Sequence, residues 1–322
     1  MPAISPLVDP ELVAGLEALP FRDFSAGTLS AVRAVLAEGG QLQREQTAAD
    51  GVRVAEKAVP RDDGGTVRVL CYQPERPPAQ MPVLLHIHGG GLVSGTPEAG
   101  YAAAVRAVQT YQCTVISVDY RLAPEAPYPA AIDDCYTVLA WLYAQADTLG
   151  IDRNRIIVGG ESAGGGLAAA LCIMARDRGA IPIAHQMLTY PMLDDRTCVR
   201  ETITHTGQYV WTRESNRFGW QSYLGQAPGG EGIPAHAAPG RCESMAGLPP
   251  AFFAVGGLDL FLEEDVSYAM RLIAAGIGVT LEIYPGAYHA FTMFTETKAA
   301  KKFQSDWNYA FARAIAPATA QP

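Results

Sequence analysis

Apolar positions near the start of the chain recur at helical spacing. Leu7, Leu12, Leu16 and Leu19 form one series, and Leu29, Val32 and Leu36 a second, predicting amphipathic helices over about residues 1–45. Residues 52–59 and 66–72 then read as two strands. The polar run Arg61-Asp62-Asp63-Gly64-Gly65 between them predicts a hairpin. Beyond it the rhythm changes. Short apolar runs at 82–88, 113–119, 155–159, 184–190, 251–256 and 279–284 predict strands. Helical patterns at 97–110, 130–146, 163–178, 263–275 and 298–316 alternate with them. Strands that are apolar throughout are buried on both faces, so this order predicts an α/β fold with a mostly parallel central sheet and helices on both sides.

One stretch breaks the alternation. Residues 193–245 are rich in Gly, Pro and polar residues and carry Trp211, Phe218, Trp220 and Tyr223. A simple crossover does not need that length, so the stretch reads as an insertion folded over the strand ends. Length alone would permit two domains; with no repeat or linker evident, 1–322 reads as one.

Charge narrows the partners. With 24 Lys and Arg against 33 Asp and Glu, the net charge is −9, and no basic stripe is present. Nucleic acid is not expected to bind, and small neutral substrates remain open. No apolar run is long enough to span a membrane. Residues 1–20 contain Asp9, Glu11 and Glu17 without a basic segment followed by an apolar one, which argues against a signal peptide. The six cysteines form no C-x-x-C pair. They read as buried free thiols of a cytoplasmic protein.

The candidate chemistry begins at Gly160-Glu161-Ser162-Ala163-Gly164. A predicted strand runs into this pentapeptide and an alanine-rich helix leaves it. That setting is what a nucleophile elbow needs: the turn is too tight for flanking side chains, and it lifts the Ser162 hydroxyl clear of the sheet at a helix N-terminus. A phosphate loop fits poorly, because Gly165-Gly166 stand where Lys-Ser/Thr is required. The match of Gly164-x-Gly166-x-x-Ala169 to a dinucleotide fingerprint begins inside the helix instead of in the turn before it. His88-Gly89-Gly90-Gly91 closes the 82–88 strand, and glycines there let main-chain N–H groups approach a reacting carbon. The amides of Gly90, Gly91 and Ala163 are the candidate oxyanion donors. His86-x-His88 raises a metal reading, but further ligands are not evident nearby; His88 reads as a brace for the loop and His86 as structural.

A serine nucleophile in such a fold is followed in the chain by an acid and then a histidine. Of the six histidines only His289 lies after the last strand. Asp259 ends the 251–256 strand region, where it would orient the imidazole. Glu263, Glu264 and Asp265 compete for that role, but their place in the first turn of the next helix suits ordinary partners of the helix dipole.

Together these residues resemble the hormone-sensitive-lipase-like group of bacterial (family IV) esterases. His88-Gly89-Gly90-Gly91 and Gly160-Glu161-Ser162-Ala163-Gly164-Gly165 match two of its signatures. Asp119-Tyr120-Arg121-Leu122-Ala123-Pro124-Glu125, followed by Pro127-Tyr128-Pro129-Ala130-Ala131, matches a third. The likeness covers about residues 50–315. Two departures stand out: Glu161 replaces the usual Asp, and Leu260 the usual Pro after the acid. The resemblance implies the α/β-hydrolase fold and cofactor-free ester hydrolysis through an acyl-enzyme. It also implies a cap built from about 1–45 and 193–245, and homodimerisation. A cap rich in aromatics suggests short to medium acyl chains. Asp119 and Arg121 are expected to pair and pin the Pro-rich loop. An amidase or deacetylase on the same residues, and a non-catalytic ligand-binding homologue, are the alternatives.

Overall fold

The computed structural model describes residues 4–18, 24–201 and 203–316, and Leu19 of the first apolar series lies outside them. Eight strands form one sheet: β1 (Val52–Pro60), β2 (Thr66–Pro74), β3 (Met81–Ile87), β4 (Thr114–Asp119), β5 (Ile151–Glu161), β6 (His185–Thr189), β7 (Ala251–Gly256) and β8 (Val279–Tyr284). Their spatial order is β1-β2-β4-β3-β5-β6-β7-β8. β1 and β2 form the predicted hairpin, with Pro60 opposite Thr66. β2 pairs antiparallel with β4, and every pairing from β4 to β8 is parallel. This is the α/β-hydrolase fold.

Alternation along the strands divides the interior in two. Val83, Leu85, Ile87, Ile156 and Val158 face one apolar cluster, shared with α4 (Ala130–Ala144), α6 (Ala163–Arg178) and α8 (Leu262–Ala274). Leu84, Val115, Ile157 and Met187 face the other, shared with α3 (Tyr101–Tyr111) and α9 (Lys298–Ala314). Covering both faces satisfies strands that are apolar on both sides. Helix α6 sits at the centre and is buried continuously from Ala163 to Ala175. Such a helix carries no amphipathic stripe because it has no solvent face.

The ends differ in detail from the sequence pattern. Among the described residues the N-terminal region forms two helices, α1 (Pro10–Ala18) and α2 (Leu29–Gln46). Leu12 is fully buried, whereas Leu7 precedes α1 and is 53% exposed. The helix expected from residue 97 opens with a 3-10 turn over Pro97–Gly100. Within 193–245 lies one α-helix that the pattern did not predict, α7 (Arg213–Leu224), and Ala146–Leu149 forms a separate short helix, α5. The N-terminal region and the long segment meet: the Phe24 amide donates to Ser215 Oγ at 3.1 Å, and Phe24 packs on Trp211 with ring centroids 5.0 Å apart. No helix among the described residues is long and apolar enough to cross a membrane.

Candidate active site

The centre of the site is the junction of β5 and α6. Strand β5 ends at Glu161 and α6 starts at Ala163, so the chain reverses at one residue, Ser162. Its backbone has φ 56° and ψ −122°, a sparsely populated conformation for a residue with a side chain. Surrounding bonds hold it there. The Ser162 amide donates to Thr189 O at 2.9 Å, and the Ser162 carbonyl accepts from Met192 N and Gly166 N at 2.9 and 3.0 Å. Gly164 makes the turn possible, because a Cβ there would stand 2.0 Å from the Ile87 carbonyl oxygen. Gly160 is in the same position, with that oxygen 2.3 Å away.

The other two predicted side chains arrive from loops after β7 and β8. His289 Nε2 lies 2.8 Å from Ser162 Oγ, and His289 Nδ1 lies 2.8 Å from Asp259 Oδ2. Asp259 Oδ1 accepts from the Phe261 amide at 3.0 Å, which fixes the rotation of the carboxylate. All three side chains are nearly withdrawn from solvent: Ser162 is 7% exposed, His289 4% and Asp259 0%. Leu260, in place of the family's Pro, does not displace Asp259 from this geometry. In a buried hydrogen-bonded series of carboxylate, imidazole and hydroxyl, the carboxylate orients the imidazole and the imidazole can take the hydroxyl proton.

The glycine loop after β3 lies against the serine turn. A Cβ on Gly89 would be 3.4 Å from Ser162 Cβ. Among the described residues the amides of Gly90 and Gly91 are given to no carbonyl or side chain, and the amide of Ala163, first in α6, lies ahead of the intrahelical ladder. His88 and Tyr120 pack and hydrogen-bond around the loop. His88 Nδ1 donates to Gly89 O at 2.8 Å, its ring stacks on Tyr120 at 4.3 Å, and the Tyr120 hydroxyl donates to the His88 carbonyl at 2.9 Å. Burial pushes the His88 imidazole down to about 4, so it stays neutral at ordinary pH. His86 Nε2 lies 3.0 Å from Glu161 Oε2, and its Nδ1 lies 3.2 Å from Ser117 Oγ.

Two expectations are corrected. Arg121 does not pair with Asp119. It grips the buried carboxylate of Asp134 with Nε and Nη2, both at 2.9 Å, and adds a backbone N–H at 2.9 Å. Asp119 instead lies 3.4 Å from Arg68. Glu264 and Asp265 are not exposed dipole partners either; they are 3% and 0% exposed. Glu264 accepts from the amides of Leu193 and Asp194 at 2.6 and 3.2 Å and from the Thr197 hydroxyl, tying the start of the long segment to α8. None of these acids reaches His289; Asp259 does.

Sequence reasoning also missed the ring of aromatics around the imidazole. Tyr190, Phe261 and Trp211 have ring centroids 4.8, 5.2 and 6.3 Å from that of His289. Trp211 also covers Gly91, where a Cβ would be 2.0 Å from its Cη2. Of the three only Trp211 belongs to the 193–245 segment, and nothing in that segment's spacing points at residue 289.

Comparisons with known proteins agree with this architecture. A family model described as alpha/beta hydrolase fold matches residues 84–293. Among curated proteins the chain is similar to Esterase LipI of Mycobacterium tuberculosis, at 35% identity, with 89% of this chain and 88% of that protein aligned. It is also similar to Carboxylesterase NlhH of the same organism, at 32% identity over 90% of each. Among solved structures, Bacterial Heroin Esterase superposes with a TM-score of 0.92 at 36% identity, covering 97% of this chain and 99% of that one. By sequence match and by the course of its backbone, this chain belongs to the α/β-hydrolase-fold family.

Proposed function

We propose that the chain is a carboxylic ester hydrolase, a hormone-sensitive-lipase-like esterase that works through an acyl-enzyme on Ser162. The observation that carries this reading is the buried series Asp259 Oδ2, His289 Nδ1, His289 Nε2 and Ser162 Oγ, with two contacts of 2.8 Å. The esterase relatives support the same class of reaction.

In the proposed cycle His289 accepts the Ser162 proton as Oγ attacks the ester carbonyl. The amides of Gly90, Gly91 and Ala163 receive the charge that develops on the carbonyl oxygen. His289 then protonates the leaving alcohol. Water enters, gives its proton to His289 and attacks the acyl group, and the acid departs as Ser162 recovers its proton. Asp259 holds the imidazole with Nδ1 protonated throughout. No metal or cofactor is needed for any step. Residues 1–45 and 193–245 act as a cap on a single domain, and the Phe24–Trp211 contact joins its two parts. Trp211, over Gly91 and beside His289, crowds the site, which supports short to medium acyl chains over long ones.

The test is turnover of p-nitrophenyl esters from acetate to palmitate. Wild type is expected to peak at short or medium length. Ser162→Ala is expected to fall by about 10⁵-fold or more in kcat while staying folded. A Ser162→Ala protein that keeps a tenth of wild-type turnover refutes the proposal, and faster turnover of palmitate than of butyrate refutes the chain-length part.

A further inference from the structure

Glu161 precedes Ser162, but its side chain points away from the ester site. It lines a cleft between α3 and α9, together with His86, Ala103, Arg106, Phe303 and Trp307. Glu161 ends β5 and Ser162 is the turn residue after it, and their side chains meet different partners, His86 for Glu161 and His289 for Ser162. The cleft has a volume of about 160 Å³, close to that of an engineered cavity of about 150 Å³ that accepts benzene. It stays open because the facing residue of α3, Ala103, is small and because Gly100 stands over the histidine. A Cβ at Gly100 would be 2.8 Å from His86 Cε1.

The polar floor of this cleft is under-used. Both Glu161 oxygens contact the same atom, His86 Nε2, at 3.2 and 3.0 Å. A carboxylate accepts about four hydrogen bonds, and among the described residues no other one donates to the Glu161 side chain. That side chain is 41% exposed, whereas that of His86 is 12% exposed. The open side of the carboxylate therefore looks into a space walled by the Phe303 and Trp307 rings. A negative charge beside aromatic residues is complementary to a cation with an apolar body, since aromatic rings also attract cations. Arg106 is the one permanent cation among the residues named for the cleft. It lies on the exposed side of α3, where water and salt screen it more than they screen Glu161.

We propose that this cleft is a second binding site, for a small organic ammonium ion. The ammonium hydrogen-bonds to Glu161, and its apolar body lies against Phe303 and Trp307. The site is separate from Ser162 and does not depend on the esterase reading.

Benzylammonium is the probe, and intrinsic tryptophan fluorescence of the full chain is the readout. The expected result is saturable quenching that vanishes in Trp307→Phe. Ala103→Trp fills the mouth and is expected to abolish binding while ester turnover stays within about twofold of wild type. Glu161→Gln, which keeps the shape, is expected to weaken binding at least tenfold, and neutral benzyl alcohol to bind wild type at least tenfold more weakly than benzylammonium. Benzyl alcohol binding as well as benzylammonium overturns the proposal, as does quenching that persists in Trp307→Phe. Benzylammonium that raises the ester KM in Ala103→Trp as much as in wild type also overturns it, because the amine would then sit at Ser162. Because binding is read by fluorescence, it stands or falls apart from hydrolysis.

Discussion

Replacing Asp259 by asparagine removes one charge and changes almost no volume, yet the structure predicts a near-complete loss of turnover. Asp259 Oδ1 accepts the Phe261 N–H at 3.0 Å, and Oδ2 faces His289 Nδ1 at 2.8 Å. In the Asp259→Asn protein the new side chain must keep its carbonyl oxygen on the Phe261 side, because the opposite orientation would set an NH₂ against an N–H with no water to relieve it. Asp259 is 0% exposed, and an unmet buried donor costs about 1–3 kcal/mol. The asparagine NH₂ therefore faces Nδ1, which must become an acceptor, and the imidazole proton moves to Nε2. There it points at Ser162 Oγ, 2.8 Å away, so the ring donates to the hydroxyl where it should accept from it. Holding the wrong tautomer in a serine triad costs about 10⁴ in kcat, or about 5 kcal/mol of transition-state stabilisation. The assay is p-nitrophenyl acetate hydrolysis at pH 7.5, with thermal melting to show that the fold is kept. KM should change little. A folded Asp259→Asn protein within tenfold of wild-type kcat would refute the reasoning and move the acid elsewhere.

Other outcomes follow from the same contacts. Gly91→Ala sets a methyl 2.0 Å from Trp211 at a φ of +64°, and should lower kcat/KM about 10²-fold by shifting an oxyanion donor. Trp211→Leu should recover part of that loss. It should not rescue Gly90→Ala, whose methyl meets the Ser94 carbonyl oxygen at 2.1 Å; equal rescue of both would count against the packing argument. Burial pushes the Glu264 carboxyl up to about 8 from an ordinary value of 4.5, against the hydrogen bond from Thr197. Between those values the unfolded chain has released the proton that the native state keeps. Stability should therefore fall as pH rises from about 4.5 to 8, by up to about 1.4 kcal/mol per unit. Glu264→Gln should lose that slope, and a melting-temperature difference between the two proteins that stays flat from pH 5 to 8 would contradict it. Arg121→Met leaves the Asp134 carboxylate, 1% exposed, with the residue-121 amide at 2.9 Å and Arg61 as its one nearby cation at 3.5 Å. It should cost about 2–4 kcal/mol in urea unfolding, and a loss under about 0.5 kcal/mol would mean that Arg61 and that amide suffice.

Much of this molecule is legible from its pattern because the informative features are local. Strands buried on both sides must be apolar throughout, so the sheet from β3 to β7 is visible in the sequence; β8, at the edge, is only partly buried and shows through its β-branched and aliphatic residues. The serine turn and the glycine loop are equally plain, since close backbone approach leaves glycine as the residue that fits. Helix α7 was missed although its ends carry signals: Thr212 accepts the Ser215 amide at 3.2 Å, and Gly225 closes it in a left-handed conformation. Between those ends, Asn216, Trp220 and Tyr223 are buried by their neighbours and not by their own hydropathy. Glu264 was misread for a related reason. A carboxylate in a first helical turn looks the same in sequence whether it meets water or, as here, the amides of residues 193 and 194. The partner of Arg121 lies 13 positions away, with Asp119 a nearer and equally charged decoy. Pairings set by tertiary packing leave no local trace.

The six buried, unpaired cysteines make the native protein a poor target for alkylating reagents and turn it into its own unfolding recorder. Burial raises the Cys71, Cys113 and Cys198 thiols to about 11, 12 and 12, so iodoacetamide has little to attack until the chain opens. Their positions sample different parts of the molecule: Cys71 in the antiparallel edge, Cys135 and Cys172 in the helices beneath the site, and Cys198 and Cys242 in the long insertion. Mass spectrometry of pulse-labelled protein would thus time each region separately. Labels reaching 198 and 242 well before 135 and 172 would mark the insertion as a unit that swings free while the sheet remains closed.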